Sequence, residues 1–305
     1  MKILVLLNRF EGYNFHHDTS HLLMYESYQR GHEVFYGTFD GLSYLGVPQV
    51  SCQPVQVRLT APYFEFGAEI SLALTDFQAI LIRPDPPVDA AYHYAMQLLS
   101  LLPAHQVMLN PPAVLRDFNE KLIILQFPQW IPKTLVSSRI EEIRNFHTKV
   151  GNKIILKPLN GFAGQGVQVY GPGESPLLPA SLPIMAQEFL PAIHAGEKRL
   201  FFLEDRVLAV LLKIPLPGKF LANPDQGAKL ATCTLTDREQ RIATDLGVFF
   251  KKQGIFLAGV DLIGEHLTEI NITSPGLLWE LNEAYQAHFE QDIMDALHRR
   301  CQNPT

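Results

Sequence analysis

A chain of 305 residues, 47% of them hydrophobic, is long enough to bury a large core and to divide into more than one domain. A formal net charge of −6 and the lack of any dense basic block argue against a nucleic-acid or membrane surface, leaving small molecules or further copies of the chain as partners. Cys52, Cys233 and Cys301 stand far apart in no CxxC or zinc spacing, and no apolar run reaches the length of a signal-peptide core or a membrane span, so the expected location is the cytoplasm.

In chain order, residues 2–7 read as a buried strand, followed by a polar loop over 8–17 that carries Phe10, Tyr13 and Phe15. Asp18, Thr19 and Ser20 offer N-caps for a helix through Leu22, Leu23, Tyr25 and Tyr28, which Gly31 stops. A second strand over 32–39 completes the strand, loop, helix, strand grammar of a parallel sheet, in which the loop after the first strand is a candidate ligand site. No G-x-G-x-x-G occurs there, so a dinucleotide reading lacks its usual support.

Residues 50–75 read as a strand pair with a connection, and 77–83 as another buried strand ending in Arg83-Pro84-Asp85-Pro86-Pro87. The prolines stiffen that exit and hold Arg83 and Asp85 at a strand end, suited either to grip a carboxylate or an amine or to close a salt-bridged corner. A helix over 92–102, a strand over 107–110 ended by Pro111 and Pro112, and a helix over 113–127 bearing Arg116, Asp117, Asn119, Glu120 and Lys121 follow.

Strands at 134–136 and 153–157 flank a helix over 140–150, and the second runs into Pro158-Leu159-Asn160-Gly161-Phe162-Ala163-Gly164-Gln165-Gly166-Val167. Its glycines let backbone amides approach a ligand closely, although a glycine-rich hairpin turn alone is the commoner explanation. Lys157, on a strand otherwise made of Ile154, Ile155 and Leu156, calls for an anionic partner. Further strands are expected at 185–191, 196–202 and 207–214, with a turn at Asp205-Arg206. Residues 215–232 read as a long loop of the kind that often serves as a lid, 238–253 as a helix ended by Gly254, and 289–300 as a closing helix.

The most informative stretch is 260–272, two strand-like runs around Gly264, read as a β-hairpin with 264–266 as its loop. Pairing Ile263 with Leu267 puts Asp261 opposite Glu269, with Asn271 on the same face. Opposed like charges repel, so either a cation lies between them or the acids face water at an edge. An all-oxygen set of this kind suits Mg2+.

Five segments in order carry a family resemblance: Arg83 with Asp85-Pro86-Pro87, Leu115-Arg116-Asp117 with Asn119-Glu120-Lys121-Leu122, Ile155-Leu156-Lys157-Pro158-Leu159, Leu190-Pro191-Ala192-Ile193, and Asp261 through Thr268-Glu269-Ile270-Asn271 to Thr273-Ser274-Pro275. Together they resemble the bacterial glutathione synthetase family of the ATP-grasp carboxylate–amine ligases. The resemblance implies an α/β fold (α+β overall): an N-terminal open parallel α/β domain at 1–117, then an ATP-grasp domain at 118–305 with a small lid at approximately 121–190. It implies ATP and Mg2+, with Mn2+ as a substitute, γ-glutamylcysteine and glycine as substrates, and a homo-oligomer.

By the same resemblance Asp261, Glu269 and Asn271 hold the metal, and Lys121 and Lys157 hold phosphates under a mobile loop containing Gly161, Gly164 and Gly166. Gln187, Glu188, Phe189 and Leu190 form the hinge for adenine, Glu197 approaches the ribose, Arg199 meets the γ-phosphate and Lys213 also binds ATP. Arg199, Lys157 and Asn271 are the implied catalytic groups, Asp18, Ser20, Arg83 and Asp85 face the peptide, and Asn223, Ser274 and Pro275 complete the substrate site. Leu221 departs from the family, where an arginine is usual, as do Pro84, Asn160 and the run Gly276-Leu277-Leu278-Trp279. The departures leave the ATP and metal residues intact and alter the acceptor end. A sibling ligase with another acid or amine, or a non-catalytic nucleotide-binding relative, are the alternatives.

Overall fold

The structure is a computed structural model that describes residues 1–9, 15, 17–162, 164–171 and 182–303. Phe10, Tyr13 and Ala163, which the sequence reading placed in candidate ligand loops, lie outside the described residues.

The opening apolar run forms the strand Lys2–Leu6 and is buried on both faces: Leu4 and Leu6 join one core, Ile3 and Val5 another. Double-sided burial is why such a strand reads as continuous hydrophobicity rather than alternation. It pairs in parallel with Glu33–Leu45 on one side and with Ala79–Ile82 on the other, and Ala79–Ile82 pairs in parallel with Val107–Leu109. The helix Thr19–Gln29 links the first two, its N-terminus capped by the Asp18 carboxylate, which accepts from the His21 amide at 2.6 Å. From Phe35 onward the second strand also pairs antiparallel with Val47–Val57, with a register shift between Gly37 and Leu42, and Phe64–Phe66 and Ile70–Ala73 pair on Val47–Val57 in turn. This arm extends well past the expected strand at 32–39. Pro48 and Pro54 interrupt its sequence pattern without ending the strand.

A second sheet, antiparallel, runs Gln168–Tyr170, Ile154–Pro158, Ile184–Glu188, Thr134–Ser137, and carries the helix Ile140–Val150 over a small core of its own. The third, also antiparallel, runs Lys229–Thr232, Arg206–Ile214, Glu197–Leu203, Leu257–Ile263, His266–Asn271. Helix Asp237–Gln253 covers one face of it, with Ile242, Leu246 and Phe250 against Leu200, Phe202 and Val260. Helices Leu278–Tyr285 and Phe289–Gln302 cover the other, with Leu281, Ile293 and Leu297 against Phe201 and Leu211. Among the described residues no helix is long and apolar enough to cross a membrane.

Several local expectations are corrected. The helix expected over 113–127 is two pieces, Pro112–Asp117 and a 3₁₀ turn over Leu122–Gln126. The Asn119 side chain accepts from the amides of Lys121 and Leu122 and donates to the Leu159 carbonyl, and the Glu120 carbonyl accepts from the Ile270 amide, so a local side-chain turn and tertiary partners replace the helical bonds. The turn after Glu197–Leu203 is Glu204-Asp205, since Leu203 pairs with Arg206. The loop expected over 215–232 ends in a short edge strand, Lys229–Thr232.

The first and third sheets are stapled by Asn110. Its buried amide donates to the carbonyls of Leu257 (2.8 Å) and Ile272 (2.7 Å), and its oxygen accepts from the amides of Phe256 (2.6 Å) and Leu257 (3.0 Å). All its hydrogen-bonding capacity goes to backbone that has no other route to solvent. Asn110→Leu keeps the volume but orphans those groups, so a loss of roughly 3–5 kcal/mol is expected in urea unfolding, at unchanged m-value; a loss below about 1 kcal/mol would show that these contacts do not join the sheets.

Candidate active site

The hairpin Leu257–Ile263 and His266–Asn271 sets Asp261 opposite Glu269 and Gly259 opposite Asn271. The route to that register differs from the expected one. The turn is the two-residue Gly264-Glu265, Ile263 pairs with His266 and Leu262 with Leu267, and Thr268 bulges out to restore the Asp261–Glu269 pair. The Thr268 hydroxyl donates to the Asp261 carbonyl at 3.0 Å, fixing the bulge.

Asp261 is buried, yet its carboxylate is fully engaged. Arg199, its partner on the neighbouring strand, donates from Nε and Nη2 to the two oxygens at 2.8 Å each; Lys213 Nζ lies 2.9 Å from Oδ1, and Asn271 Nδ2 donates to Oδ2 at 3.1 Å. Burial alone would raise the Asp261 pKa, but Arg199 and then Lys213 outweigh it and hold the carboxyl well below the usual range. The Arg199 guanidinium, penalised by burial, is raised in turn by Asp261. Lys213 also meets Glu197 at 2.7 Å; burial pushes the Glu197 carboxyl up, against the pull of Lys213.

Two further cations approach Glu269. Lys121, brought into the site by the break in the helix, donates to Glu269 Oε1 at 3.0 Å and to the Gly161 carbonyl at 2.6 Å. Lys157 donates to the Thr268 carbonyl at 3.3 Å, and burial pushes its pKa down, against the pull of Glu269. The Asn271 amide group donates also to the Gly259 carbonyl at 3.2 Å, so its nitrogen is turned to the sheet and its oxygen away from those acceptors. Among the described residues no three His, Cys, Asp or Glu side chains converge, so a cation here would draw on the Asn271 amide as well as the carboxylates of Asp261 and Glu269. That hard, all-oxygen set fits Mg2+.

These groups line a cavity of about 490 Å³ between the second and third sheets. Gln187, Glu188, Phe189 and Leu190 line it where Ile184–Glu188 ends, Gly161 and Gly164 line it from the glycine-rich loop, and Asp85, Asn223 and Ser274 from the remaining segments. Gly166, Asp18, Ser20, Arg83 and Pro275 are not on that lining. Gly166 has φ +70° and abuts Pro158; Asp18 caps a helix. Ser20 and Arg83 are buried in the wall, where Arg83 donates to the Ser20 hydroxyl at 2.8 Å and to the Pro275 carbonyl at 3.0 Å. Leu221 packs over Gly164, where a Cβ would meet its side chain at 3.3 Å. Glu120 and Thr268, quoted in the resemblance but given no role, shape the site, and Gly259 does so without a motif to mark it. A lone glycine inside a strand was the available signal, since it often marks close approach of another group.

The fold is that of the ATP-grasp ligases: D-cycloserine synthetase DcsG superposes with a TM-score of 0.67 at 15% identity, covering 97% of this chain and 99% of that one, and the ATP-grasp ligase PsnB, in a complex with Mg and ADP, with 0.64 at 16%, covering 98% of each. Sequence profiles for the N-terminal domain and the ATP-grasp domain of prokaryotic glutathione synthetase match residues 1–116 and 120–286. The glutathione synthetase of Synechococcus elongatus is 33% identical over 302 residues, 92% of this chain and 93% of its own length. That of Yersinia pestis is 34% identical over 313 residues, 98% of each. The chain belongs to the prokaryotic glutathione synthetase family.

A Cβ on Gly259 would stand 2.9 Å from Arg199 Nη1, so only glycine lets the guanidinium lie across this strand. Gly259→Ala is expected to displace Arg199, slowing ADP formation by about 10–100-fold and lowering the melting temperature because the buried pair with Asp261 is disturbed. Wild-type turnover in that variant would remove Arg199 placement from the account.

Proposed function

We propose that the chain is an ATP-dependent ligase that joins γ-glutamylcysteine to glycine, giving glutathione, ADP and phosphate. The observation that carries the reading is the convergence of Asp261, Glu269 and Asn271 with Lys121, Lys157, Arg199 and Lys213 in one cavity, in a chain of this family. The substrate carboxylate attacks the γ-phosphorus of ATP, releasing ADP and leaving an acyl phosphate. The glycine amine then attacks the acyl carbon and phosphate leaves. Neither step needs a nucleophilic side chain, so the work of the protein is positioning and charge stabilisation.

Lys121 and Lys157 take the phosphate chain, helped by amides of the loop at Gly161, Gly164 and Gly166. Arg199 stabilises charge on the transferring phosphoryl group. Gln187 to Leu190 hold adenine, and Glu197, with Lys213 beside it, takes the ribose side. Asp85, Asn223 and Ser274 border the acceptor, while Asp18, Ser20, Arg83 and Pro275 brace it from the wall. Mg2+, or Mn2+ on the same oxygen donors, held by Asp261, Glu269 and Asn271, supplies counter-charge to the phosphate oxygens. Lys121, Arg199 and Lys213 are held ready by carboxylate counter-ions and Lys157 by the Thr268 carbonyl, so a carboxylate engaged by a metal would leave its cation open to phosphate. An ATP-consuming reaction on soluble substrates fits the cytoplasm, and a homo-oligomer is in keeping with the family.

Leu221, apolar and packed on Gly164, favours a second reading in which the amine or acid differs from those of glutathione synthesis. ADP release with ATP, Mg2+, γ-glutamylcysteine and glycine, repeated with each omitted and with the product identified by mass, separates the two. Dependence on both acceptors with glutathione formed is the expected result; a folded, nucleotide-binding protein that ignores them would favour the second reading. Asp261→Asn is expected to lower ADP formation by at least about 100-fold, the several kcal/mol a metal contributes, and to reduce stability because Arg199 and Lys213 lose their counter-ion. Full turnover in that variant would reject the metal assignment.

A further inference from the structure

Glu120 is half-buried beside the cavity, next to Lys121 in the break between the two helical pieces. Its Oε1 accepts two consecutive backbone amides, Ile272 at 2.7 Å and Thr273 at 2.8 Å, and its carbonyl accepts a third, from Ile270 at 3.1 Å. These amides flank Asn271 and lead directly to Ser274, which lines the cavity. The Ile272 peptide is gripped from its other side as well, since its carbonyl accepts from Asn110. One residue further on, Lys121 ties Glu269 to the Gly161 carbonyl, and one residue earlier Asn119 donates to the Leu159 carbonyl at 2.8 Å. Three consecutive residues thus fasten the exit of the strand His266–Asn271 to the start of the glycine-rich loop.

We propose that Glu120 is a positioning residue for the metal site: its carboxylate fixes the backbone that leaves Asn271 while its carbonyl holds the Ile270 amide before it, and the carboxylate so sets where the Asn271 oxygen stands relative to Asp261 and Glu269. The inference rests on the reading of Asp261, Glu269 and Asn271 given above. A carboxylate is well suited to the task because one oxygen accepts both amides, which an apolar side chain leaves orphaned. A glutamine offers a carbonyl oxygen in the same place. Groups that orient metal ligands typically change metal affinity rather than nucleotide recognition when removed.

The test is a titration of free Mg2+ at saturating ATP, reading ADP formation, beside the affinity for an ATP analogue without metal and the melting temperature. Glu120→Ala is expected to raise the Mg2+ midpoint by about 10–100-fold with metal-free nucleotide binding unchanged, and Glu120→Gln to restore the wild-type midpoint. If Glu120→Ala does not fold, Glu120→Asp, one methylene shorter, is expected to show the same shift. A lowered melting temperature with an unmoved Mg2+ midpoint in the folded variant would overturn the proposal and leave Glu120 a purely structural residue. Wild-type ADP formation that needs no divalent cation would overturn instead the metal reading on which it rests.

Discussion

The arrangement depends on one buried ionic contact, the bidentate pair between Arg199 and Asp261 with Lys213 as the second cation. Buried charges are costly unless paired and hydrogen-bonded, and losing one partner of such a set costs about 3–5 kcal/mol. Here the cost is met by geometry that the sheet provides. Arg199 and Asp261 are direct cross-strand partners, Lys213 comes from the next strand over, and Gly259 removes the side chain that would keep the guanidinium away. The same carboxylate that neutralises these cations is one of the three oxygen donors proposed for a metal, and on that proposal the cluster is a stored arrangement of charge.

The rest of the fold brings the other parts of the cavity to that cluster. The second sheet contributes Lys157, the glycine-rich loop and the segment after Ile184–Glu188; the break before Leu122–Gln126 contributes Lys121. Asn110 and Glu120 hold the backbone of Ile272 from its two sides, so the N-terminal sheet and the break together fix the end of the strand that carries Glu269 and Asn271. None of these contacts involves an exposed surface pair, whose contribution would be small. They are buried or half-buried bonds to backbone, where an unmet partner is expensive.

Much of this was legible in the sequence. Asp261, Glu269 and Asn271 share a face because strand alternation is strict, and that survived an error in the turn: a loop one residue shorter than expected is offset by the bulge at Thr268. The strands around Lys157 and the caps at Asp18 and Gly31 follow from local chemistry. What could not be read is what depends on partners far along the chain. The stretch 113–127 keeps a helical pattern, and it breaks where Asn119 donates to the Leu159 carbonyl and the Glu120 carbonyl accepts from the Ile270 amide. Ser20 and Arg83 bond each other within the wall, which a motif cannot reveal. Pro48 and Pro54 hide a long strand, and the role of Gly259 exists only opposite Arg199.

The central proposal is that Asp261 is a counter-ion for Arg199 and Lys213 until bound nucleotide draws Arg199 to its phosphate and Lys213 to its ribose side and leaves the carboxylate open to a metal. Calorimetric titration of Mg2+ into the protein, with and without a non-hydrolysable ATP analogue, tests it most directly. The account predicts negligible Mg2+ binding to the protein alone and clear, saturable binding once the analogue is present. Mg2+ binding of equal affinity in both conditions would contradict it, because the carboxylate would then be open to metal while both cations still hold it.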